Sequence, residues 1–397
     1  MQGSDTMSLF SKLFGKKEDN KNEQEIPEIS NLKFGSKVQQ EKTIHLEQKP
    51  VPNKNVNNVP SIHLKGKPDI YGLYPSELVM LSYIEGIKTT ETNYPKYLTF
   101  TYEIANPLKM IKNLESRELI EKGNSKDTLP NLKLTELKDL ASSLGITVKG
   151  RKADIIEQLS IVDEKELECY VKERTWKLTE KGQSALKANP YIQYFTNSHP
   201  YDVSTVGVNI WSVNEEFVKN TKRPYRDIIF RQLNDEMNKA AITIQTDPNA
   251  NTFQYCECYR LMGLFIEEEG KSFVNAADLY FQYLYKKINI HAGLKLLKTY
   301  NLFMKDKEHQ ANAIKWFYED AQLNPYERTE LLRLIDELGI EGTAVRYSMI
   351  TSIKRANDIG IMNEEEAANF IILELSGETD KSRDLAYKLA KNAIKRK

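Results

Sequence analysis

The chain has 397 residues, enough for two or three domains, and its 56 Lys and Arg residues balance 56 Asp and Glu residues. Because the net charge is zero, an argument for a nucleic-acid or anionic membrane partner must rest on local patches. The three cysteines are too few, and odd in number, for a disulfide framework, and no run of eighteen apolar residues occurs. We therefore expect a cytoplasmic protein with no membrane insertion.

Residues 1–68 are rich in Lys, Asn, Gln, Glu, Pro and Ser, a composition that predicts a disordered leader. One apolar island, Leu9–Lys17, places its apolar residues on one face of a helix. The island is either a short motif for a partner or an anionic membrane surface, or a few apolar residues in a disordered leader. Polar interruptions make it unlike a signal peptide. The role of Leu9–Phe14 stays open.

The next elements in the chain are two helices with an extended segment between them. Tyr74–Gly86 predicts a helix that has Pro75 in its first turn. Tyr97–Ile104 alternates in polarity and predicts a strand or an extended link. Asn106–Arg117 predicts a second helix, with Asn106 as its N-cap. In this helix we expect Leu108, Ile111 and Leu114 to face inward, and Lys109, Lys112 and Asn113 to face outward.

Residues 128–162 predict two short helices joined by an extended turn. Leu137, Leu140 and Leu144 recur at helical spacing, and Gly145 follows them as a helix-ending residue. A second helix opens after Gly150, with Ile155, Ile156 and Leu159 as its inner face. Lys149, Arg151 and Lys152 surround its N-terminus, where unpaired backbone N–H groups already favour an anion. The arrangement predicts a phosphate clamp.

The same run resembles the SAP motif, a helix-extended-helix module that usually binds DNA and sometimes RNA. The matching residues are Glu136-Leu-Lys138, Leu144-Gly-Ile-Thr-Val148 and Lys149-Gly-Arg-Lys-Ala-Asp-Ile-Ile156. The resemblance implies phosphate contacts by Lys138, Lys149, Gly150, Arg151 and Lys152, with duplex DNA favoured over RNA. It also suggests a bacterial protein of prophage type. The alternative is a helical hairpin used only for packing or protein contact, because five cations against four anions in residues 128–162 are few for a lone nucleic-acid binder.

Flanking sequences resemble winged-helix regulators. Trp176–Leu178 predicts a strand, and Thr179 caps a following helix. The resemblance rests on Leu114-Glu-Ser-Arg-Glu-Leu-Ile120 and Leu178-Thr-Glu-Lys-Gly182, which lie more than fifty residues apart. It implies a winged-helix-like α+β domain over 70–190 with the SAP-like module inserted in its wing, and DNA-groove contacts by Lys109, Lys112 and Asn113. The strand-like segment before the second helix departs from the family. The alternative is a protein-interaction module with a solvated basic face.

Beyond a linking α/β segment at 191–250, the chain predicts an α-helical domain over 251–397. Tyr255–Glu269 and Ala276–Lys287 form an amphipathic pair that loosely resembles a tetratricopeptide unit, without a clear second copy. We expect this repeat-like domain to bind a protein partner or to self-associate. Further helices are predicted near 293–304, 308–321, 325–338, 342–358, 363–373 and from 380. The last 17 residues hold seven cations and one acid, and either contact phosphates or form a frayed, solvated end.

No catalytic constellation is evident in the sequence. The five histidines are scattered, and Cys256-Glu-Cys258 lacks a second ligand pair, so we expect buried core cysteines rather than a metal site. Gly145 and Gly150 are followed by Arg151-Lys152 rather than by Lys and Ser or Thr, which excludes a Walker loop. We therefore expect a mainly α, non-enzymatic DNA-binding protein with no cofactor and no metal. The alternatives are a protein-interaction adaptor, an RNA binder, and a hydrolase or nuclease built on clustered acids.

Overall fold

A computed structural model describes residues 64–197, 199, 201–247, 249–270, 272–303, 306–356 and 360–395. Nearly all of the predicted leader, including Leu9–Phe14, lies outside these residues. The described chain is mainly helical, as the sequence predicted. Its contacts divide it into an N-terminal unit, residues 64–199 with 209–225, and a C-terminal unit, residues 201–208 with 226–395. The segment predicted as a link, 191–250, contributes to both units.

The N-terminal unit begins with three helices and a strand, and a second strand returns after a long excursion. These elements are α1 (Pro75–Ile84), α2 (Lys96–Phe100), α3 (Pro107–Ser116), β1 (Ile120–Lys122), α4 (Ser125–Thr128), α5 (Leu134–Ser143), α6 (Lys152–Ser160), α7 (Glu164–Tyr170), β2 (Trp176–Leu178), α8 (Glu180–Ala188), α9 (Tyr191–Thr196) and α10 (Ile210–Phe217). Strands β1 and β2 are antiparallel, with Ile120 opposite Leu178. An isolated bridge between Lys88 and Thr175 extends this small sheet.

The segment predicted as a strand, Tyr97–Ile104, contains a helix instead. Helix α2 begins after Pro95, and the Thr101 N–H donates to the Tyr97 carbonyl over 2.8 Å. Leu98, Tyr102 and Ile104 are buried, whereas Phe100 is 81% exposed. The strand prediction was wrong because Leu98 and Tyr102 are four residues apart. That spacing puts two side chains on one face of a helix and also on one face of a strand, so it does not distinguish the two in a short segment.

Helix α3 packs on α1 through a face that differs by one residue from the prediction. Ile111 and Leu114 are buried as expected, but Met110 completes the face and Leu108 is 44% exposed. At about 100° per residue, Met110 falls close to Ile111 and Leu114, while Leu108 falls well off that side of the helix. The inward assignment of Leu108 was therefore wrong. The Asn106 N-cap is confirmed, since its side chain accepts the Lys109 N–H over 2.9 Å.

The segment between the two strands, residues 123–175, has a small apolar core of its own. Every core member comes from α4–α7 or the turns between and after them: Leu129, Leu137, Leu140, Ala141, Ile155, Leu159, Leu167 and Val171. The predicted helical pair at 128–162 corresponds to α5 and α6, and α7 with the residue that follows it adds Leu167 and Val171. The polar side chains of α5 and α6 are thus carried on a packed scaffold rather than on a loop.

The C-terminal unit is a set of helices around one core. Its helices are α11 (Tyr225–Thr246), whose residues from 226 on belong here, α12 (Thr252–Gly270), α13 (Phe273–Lys286), α14 (Gly293–Leu302), α15 (Lys307–Ala321), α16 (Pro325–Leu338), α17 (Thr343–Ala356), α18 (Glu364–Ser376) and α19 (Thr379–Lys395), with a π-helical segment at Lys287–Ala292. The predicted helices from Tyr255 onward are confirmed to within a few residues. Cys256 and Cys258 are buried in α12, also as expected.

Helices α12 and α13 approach closely at Gly263. A Cβ atom at this position would lie 3.2 Å from the Ala276 carbonyl oxygen, so a side chain here would require the two helices to shift by a few tenths of an ångström. Across the described ranges, no helix combines the length and the low polarity that a membrane span requires.

Candidate nucleic-acid interface

The turn between α5 and α6 is fixed by backbone hydrogen bonds. Gly145 has φ +69°, and its N–H donates to the Ser142 carbonyl over 3.0 Å. The Ile146 N–H donates to the Ala141 carbonyl over 2.9 Å, which completes a Schellman motif. Val148 packs against the core of the segment between the strands. The chain is therefore held in place up to the residues that precede α6.

Four of the predicted phosphate contacts come together at the start of α6. Lys149, Gly150, Arg151 and Lys152 are all exposed, and Gly150 has φ +110°, a conformation that favours glycine. The Gln158 side-chain amide donates to the Lys149 carbonyl over 3.1 Å and so ties this turn to α6. We name these four residues the α6 basic site. Lys138, the fifth predicted contact, is exposed on α5.

The cations of the α6 basic site differ in how they are held. Lys152 Nζ donates to the Pro130 carbonyl oxygen over 2.7 Å, which fixes its side chain across the turn before α5. Among the described residues, the side chains of Lys149 and Arg151 make no ion pair or hydrogen bond. Two cations at the start of α6 are thus available to an external anion, and a third is partly engaged.

A carboxylate shares the start of α6 with these cations. Asp154 Oδ2 accepts the Arg151 N–H over 2.7 Å, as the acid of a capping box does. It therefore occupies one of the donors that a phosphate would use, and it places a negative charge beside the others. The cations alone predict a phosphate clamp without this competitor, although the three-residue spacing from Arg151 to Asp154 is that of a capping box.

The predicted groove contacts lie on α3 in a different part of the N-terminal unit. Lys112 is exposed, whereas Lys109 and Asn113 are half-buried. Arg117 Nη1 lies 3.4 Å from Asn113 Oδ1, so the Asn113 amide is directed toward the end of its own helix. The outward assignment of Asn113 and Lys109 is therefore only partly correct, and Lys112 is the fully exposed member of the three.

Arg117, at the end of α3, serves the fold rather than the surface. Its Nη1 donates to Glu77 Oε1 over 2.8 Å, and its Nη2 donates to the Gly72 carbonyl over 2.9 Å. Glu77 is buried, and burial raises the pKa of its carboxyl although the Arg117 charge acts in the opposite direction. The pair joins α1 to α3 and so sets the position of Lys112.

The C-terminal unit holds buried ionic groups with structural partners. Lys287 Nζ lies 2.6 Å from Glu327 Oε2, and the Tyr283 hydroxyl donates to Glu327 Oε1 over 2.5 Å. Burial raises the pKa of the Cys258 thiol to about 12, so this thiol is protonated at neutral pH. No group of three or more His, Cys, Asp or Glu side chains within the described ranges is placed to hold a metal ion.

An apolar groove of about 610 Å³ lies between the end of α11 and α14. We name it the α14 groove; its apolar lining includes Ile244, Leu294, Leu297 and Leu302. Leu294 is 39% and Leu302 is 70% exposed, so both add apolar surface to the groove. Lys295, Lys298 and Asp247 also line the groove, and Lys295 pairs with Asp320, so its apolar surface has a border of mixed charge.

Comparisons of the chain with protein-family models, with curated proteins and with solved structures give no match.

Proposed function

We propose that this chain is a non-enzymatic nucleic-acid-binding protein that docks on duplex DNA through the α6 basic site. The observation that carries the proposal is the gathering of exposed Lys149, Arg151 and Lys152 around one helix N-terminus on a packed scaffold. Backbone N–H groups of that N-terminus and two available cations would bind phosphate oxygens directly. Such contacts carry no sequence information, so binding through this site would tolerate any sequence. RNA is the alternative ligand for the same site.

The order of elements around the site supports a winged-helix-like domain as part of the proposal. Three helices, α1–α3, precede a two-stranded antiparallel sheet, and the SAP-like module occupies the connection between the strands where a wing would lie. A winged helix has a helix between α1 and α3, and the short helix α2 lies at that position, where the sequence predicted a strand. In this arrangement α3 would enter the DNA groove, with exposed Lys112 as its principal contact and Lys109 and Asn113 beside it.

The number of phosphate contacts sets how steeply the affinity for DNA falls as salt concentration rises. Each cation that neutralises one phosphate of duplex DNA contributes about −0.9 to the slope of log K against log salt concentration, so the two available cations give about −1.8, and about −2.7 if Lys152 also leaves the Pro130 carbonyl. This slope is modest, because specific DNA-binding proteins often make about 6–10 phosphate contacts. We therefore expect measurable binding at low salt and weak binding at physiological salt, unless other surfaces of the chain contribute.

The test is fluorescence anisotropy with labelled duplex DNA, single-stranded DNA and RNA over a salt series. We expect the K149E/R151E/K152E variant to lose most of the duplex binding. The K165E/K172E/K187E variant has the same change of charge at exposed lysines of the same unit, and it should retain binding. Absence of wild-type binding to all three ligands at low salt would refute the proposal, and binding to RNA alone would favour the alternative.

A protein-interaction adaptor is the second candidate function, and the α14 groove is the observation that favours it. Exposed leucines in a concave surface are typical of protein-binding sites. We propose that the groove lets the C-terminal unit self-associate or bind a partner protein. Sedimentation of the wild type and of a Leu302→Asp variant tests self-association, because a polar carboxylate at this exposed position would oppose apolar contact. A monomeric wild type at high concentration would exclude self-association through the groove.

A further inference from the structure

The last helix of the described chain presents a periodic row of charged residues. The exposed positions of α19 recur every three or four residues: Lys381, Asp384, Lys388, Lys391 and Lys395. The opposite face is buried, with Ala386, Leu389 and Ala390 in the core of the C-terminal unit. The Tyr387 ring also packs edge-on against Tyr318 of α15, with 6.3 Å between ring centres. The helix therefore continues to Lys395 with one face packed and the other face solvated, and phosphate contact by its cations stays a prediction.

The charges of α19 change character along the helix. In the first turn Lys381 pairs with Glu378, and Arg383 lies 2.6 Å from Asp380, so these cations are neutralised locally. No ion pair or hydrogen bond of the Lys388, Lys391 or Lys395 side chain occurs within the described ranges. From Lys388 to the end of the sequence there are five cations and no acid. We name Lys388, Lys391 and Lys395 the α19 lysine stripe.

The favourable interaction of cations with the C-terminal end of a helix accounts for only one of the three lysines in this stripe. Cations in the last turn interact favourably with the helix dipole, but this effect fades within that turn. Lys395 lies in the last turn of α19, whereas Lys391 and Lys388 lie before it. Three like charges on one face repel each other. Asp384, one turn before Lys388 on the same face, offsets part of that repulsion, but no acid stands within four residues of Lys391 or Lys395 in the sequence. An external polyanion would offset it.

We propose that the α19 lysine stripe is a second phosphate-binding surface, which contacts the backbone of the nucleic acid bound by this chain. The inference rests on the proposed nucleic-acid-binding function and adds a site in the C-terminal unit. Seven residues separate Lys388 from Lys395, which corresponds to about 10 Å along a helix. This span is close to the width of the DNA major groove, about 12 Å, so the lysines can contact phosphates on either side of it.

The packing of α19 favours nucleic acid over a lipid surface. An amphipathic helix that binds a membrane inserts its apolar face among the lipids. The apolar face of α19 is already buried against the rest of the C-terminal unit. Toward the C-terminal end, what remains exposed is a polar face with the three lysines of the stripe on flexible stems, which suits phosphates that are accessible from solvent.

The test compares three full-length variants with the wild type on a fluorescein-labelled 20-base-pair duplex between 50 and 200 mM salt. The K388E/K391E/K395E variant should bind at least about tenfold more weakly at 50 mM salt and lower the magnitude of the salt slope by about 2.7, the value for three phosphates. The K388R/K391R/K395R variant should bind like the wild type, because the charges are kept. The K239E/K315E/K354E variant reverses three exposed lysines elsewhere in the C-terminal unit, and it should keep the wild-type slope. Circular dichroism and thermal unfolding check that each variant is folded.

The possible outcomes separate this inference from the proposed function. Wild-type binding with an unchanged slope in a folded K388E/K391E/K395E variant would overturn the inference and leave the α6 basic site standing. Residual binding of K149E/R151E/K152E that disappears when the stripe is also reversed would support it. Absence of all wild-type binding would refute the proposed function and this inference together. Binding of the wild type to phosphatidylserine vesicles but not to the duplex would overturn the inference in favour of a membrane surface.

Discussion

Replacing Asp154 by asparagine removes a negative charge from the start of α6 and keeps a side-chain oxygen that can accept the Arg151 N–H. If a phosphate binds at the same N-terminus, it lies within about one helical turn of this carboxylate, roughly 6 Å away. Two unit charges at about 6 Å in water repel by roughly 0.7 kcal/mol, which corresponds to about a threefold change in Kd. We therefore expect the Asp154→Asn variant to bind duplex DNA about three times more tightly than the wild type at 50 mM salt.

The assay is anisotropy on the same labelled duplex, with Asp139→Asn as the matched control. Asp139 is an exposed acid on α5, so its replacement makes the same change of net charge away from the start of α6. The gain from Asp154→Asn should exceed the gain from Asp139→Asn, and it should decline as salt is raised. Equal gains in the two variants, or a folded Asp154→Asn variant with no gain, would refute the placement of a phosphate at this helix N-terminus.

Two further predictions concern the stability of the N-terminal unit. Arg117→Ala should cost about 2–4 kcal/mol near pH 7.5, because it leaves the Glu77 carboxylate buried without its cation. Burial raises the pKa of Glu77 in the folded state. Its contribution to stability is therefore present below the unfolded pKa and is lost as pH rises through the folded pKa. Removal of the Arg117 charge raises the folded-state pKa of Glu77 further. The cost should therefore shrink in urea titrations near pH 5, and an equal cost at both pH values would contradict this account. Gly182→Ala should cost about 1–3 kcal/mol in thermal unfolding, because the added Cβ would overlap the Leu119 carbonyl oxygen; Ser184→Ala, at an exposed position of α8, should be nearly neutral.

Helices with strong end signals could be predicted from the sequence almost to the residue. Helix α16 runs from Pro325 to Leu338, as predicted, and its ends show why. Asn324 accepts the Glu327 N–H over 2.8 Å, and Gly339 adopts φ +62° just after the last turn. Both signals act within four residues, so no knowledge of the tertiary structure was needed. The segment at Tyr97–Ile104 has no comparable signals, and its burial pattern alone did not distinguish a strand from a short helix.

The candidate site shows the same division between local and distant causes. The apolar spacing of Ile155, Ile156 and Leu159 together with Gly150 placed the start of α6 in the sequence, and so placed Lys149 and Arg151 at its N-terminus. The direction of the Asn113 amide could not be predicted, because it depends on Arg117, whose guanidinium is held by Glu77 forty residues earlier in the chain. The residue pattern within one helix does not predict a contact between residues forty positions apart in the sequence.

The distribution of acids indicates how the α6 basic site and the α19 lysine stripe would differ in binding DNA. A chain with zero net charge attracts a polyanion only where cations are separated from acids. At the start of α6 the cations surround Asp154, so the field there is weak, but the backbone N–H groups are directional and fix where a phosphate lies. Along the α19 lysine stripe there is no acid beyond Asp384, but lysine side chains impose little geometry. We therefore expect reversal of either surface to lower the salt slope, and changes at the α6 basic site also to alter the position of the bound duplex.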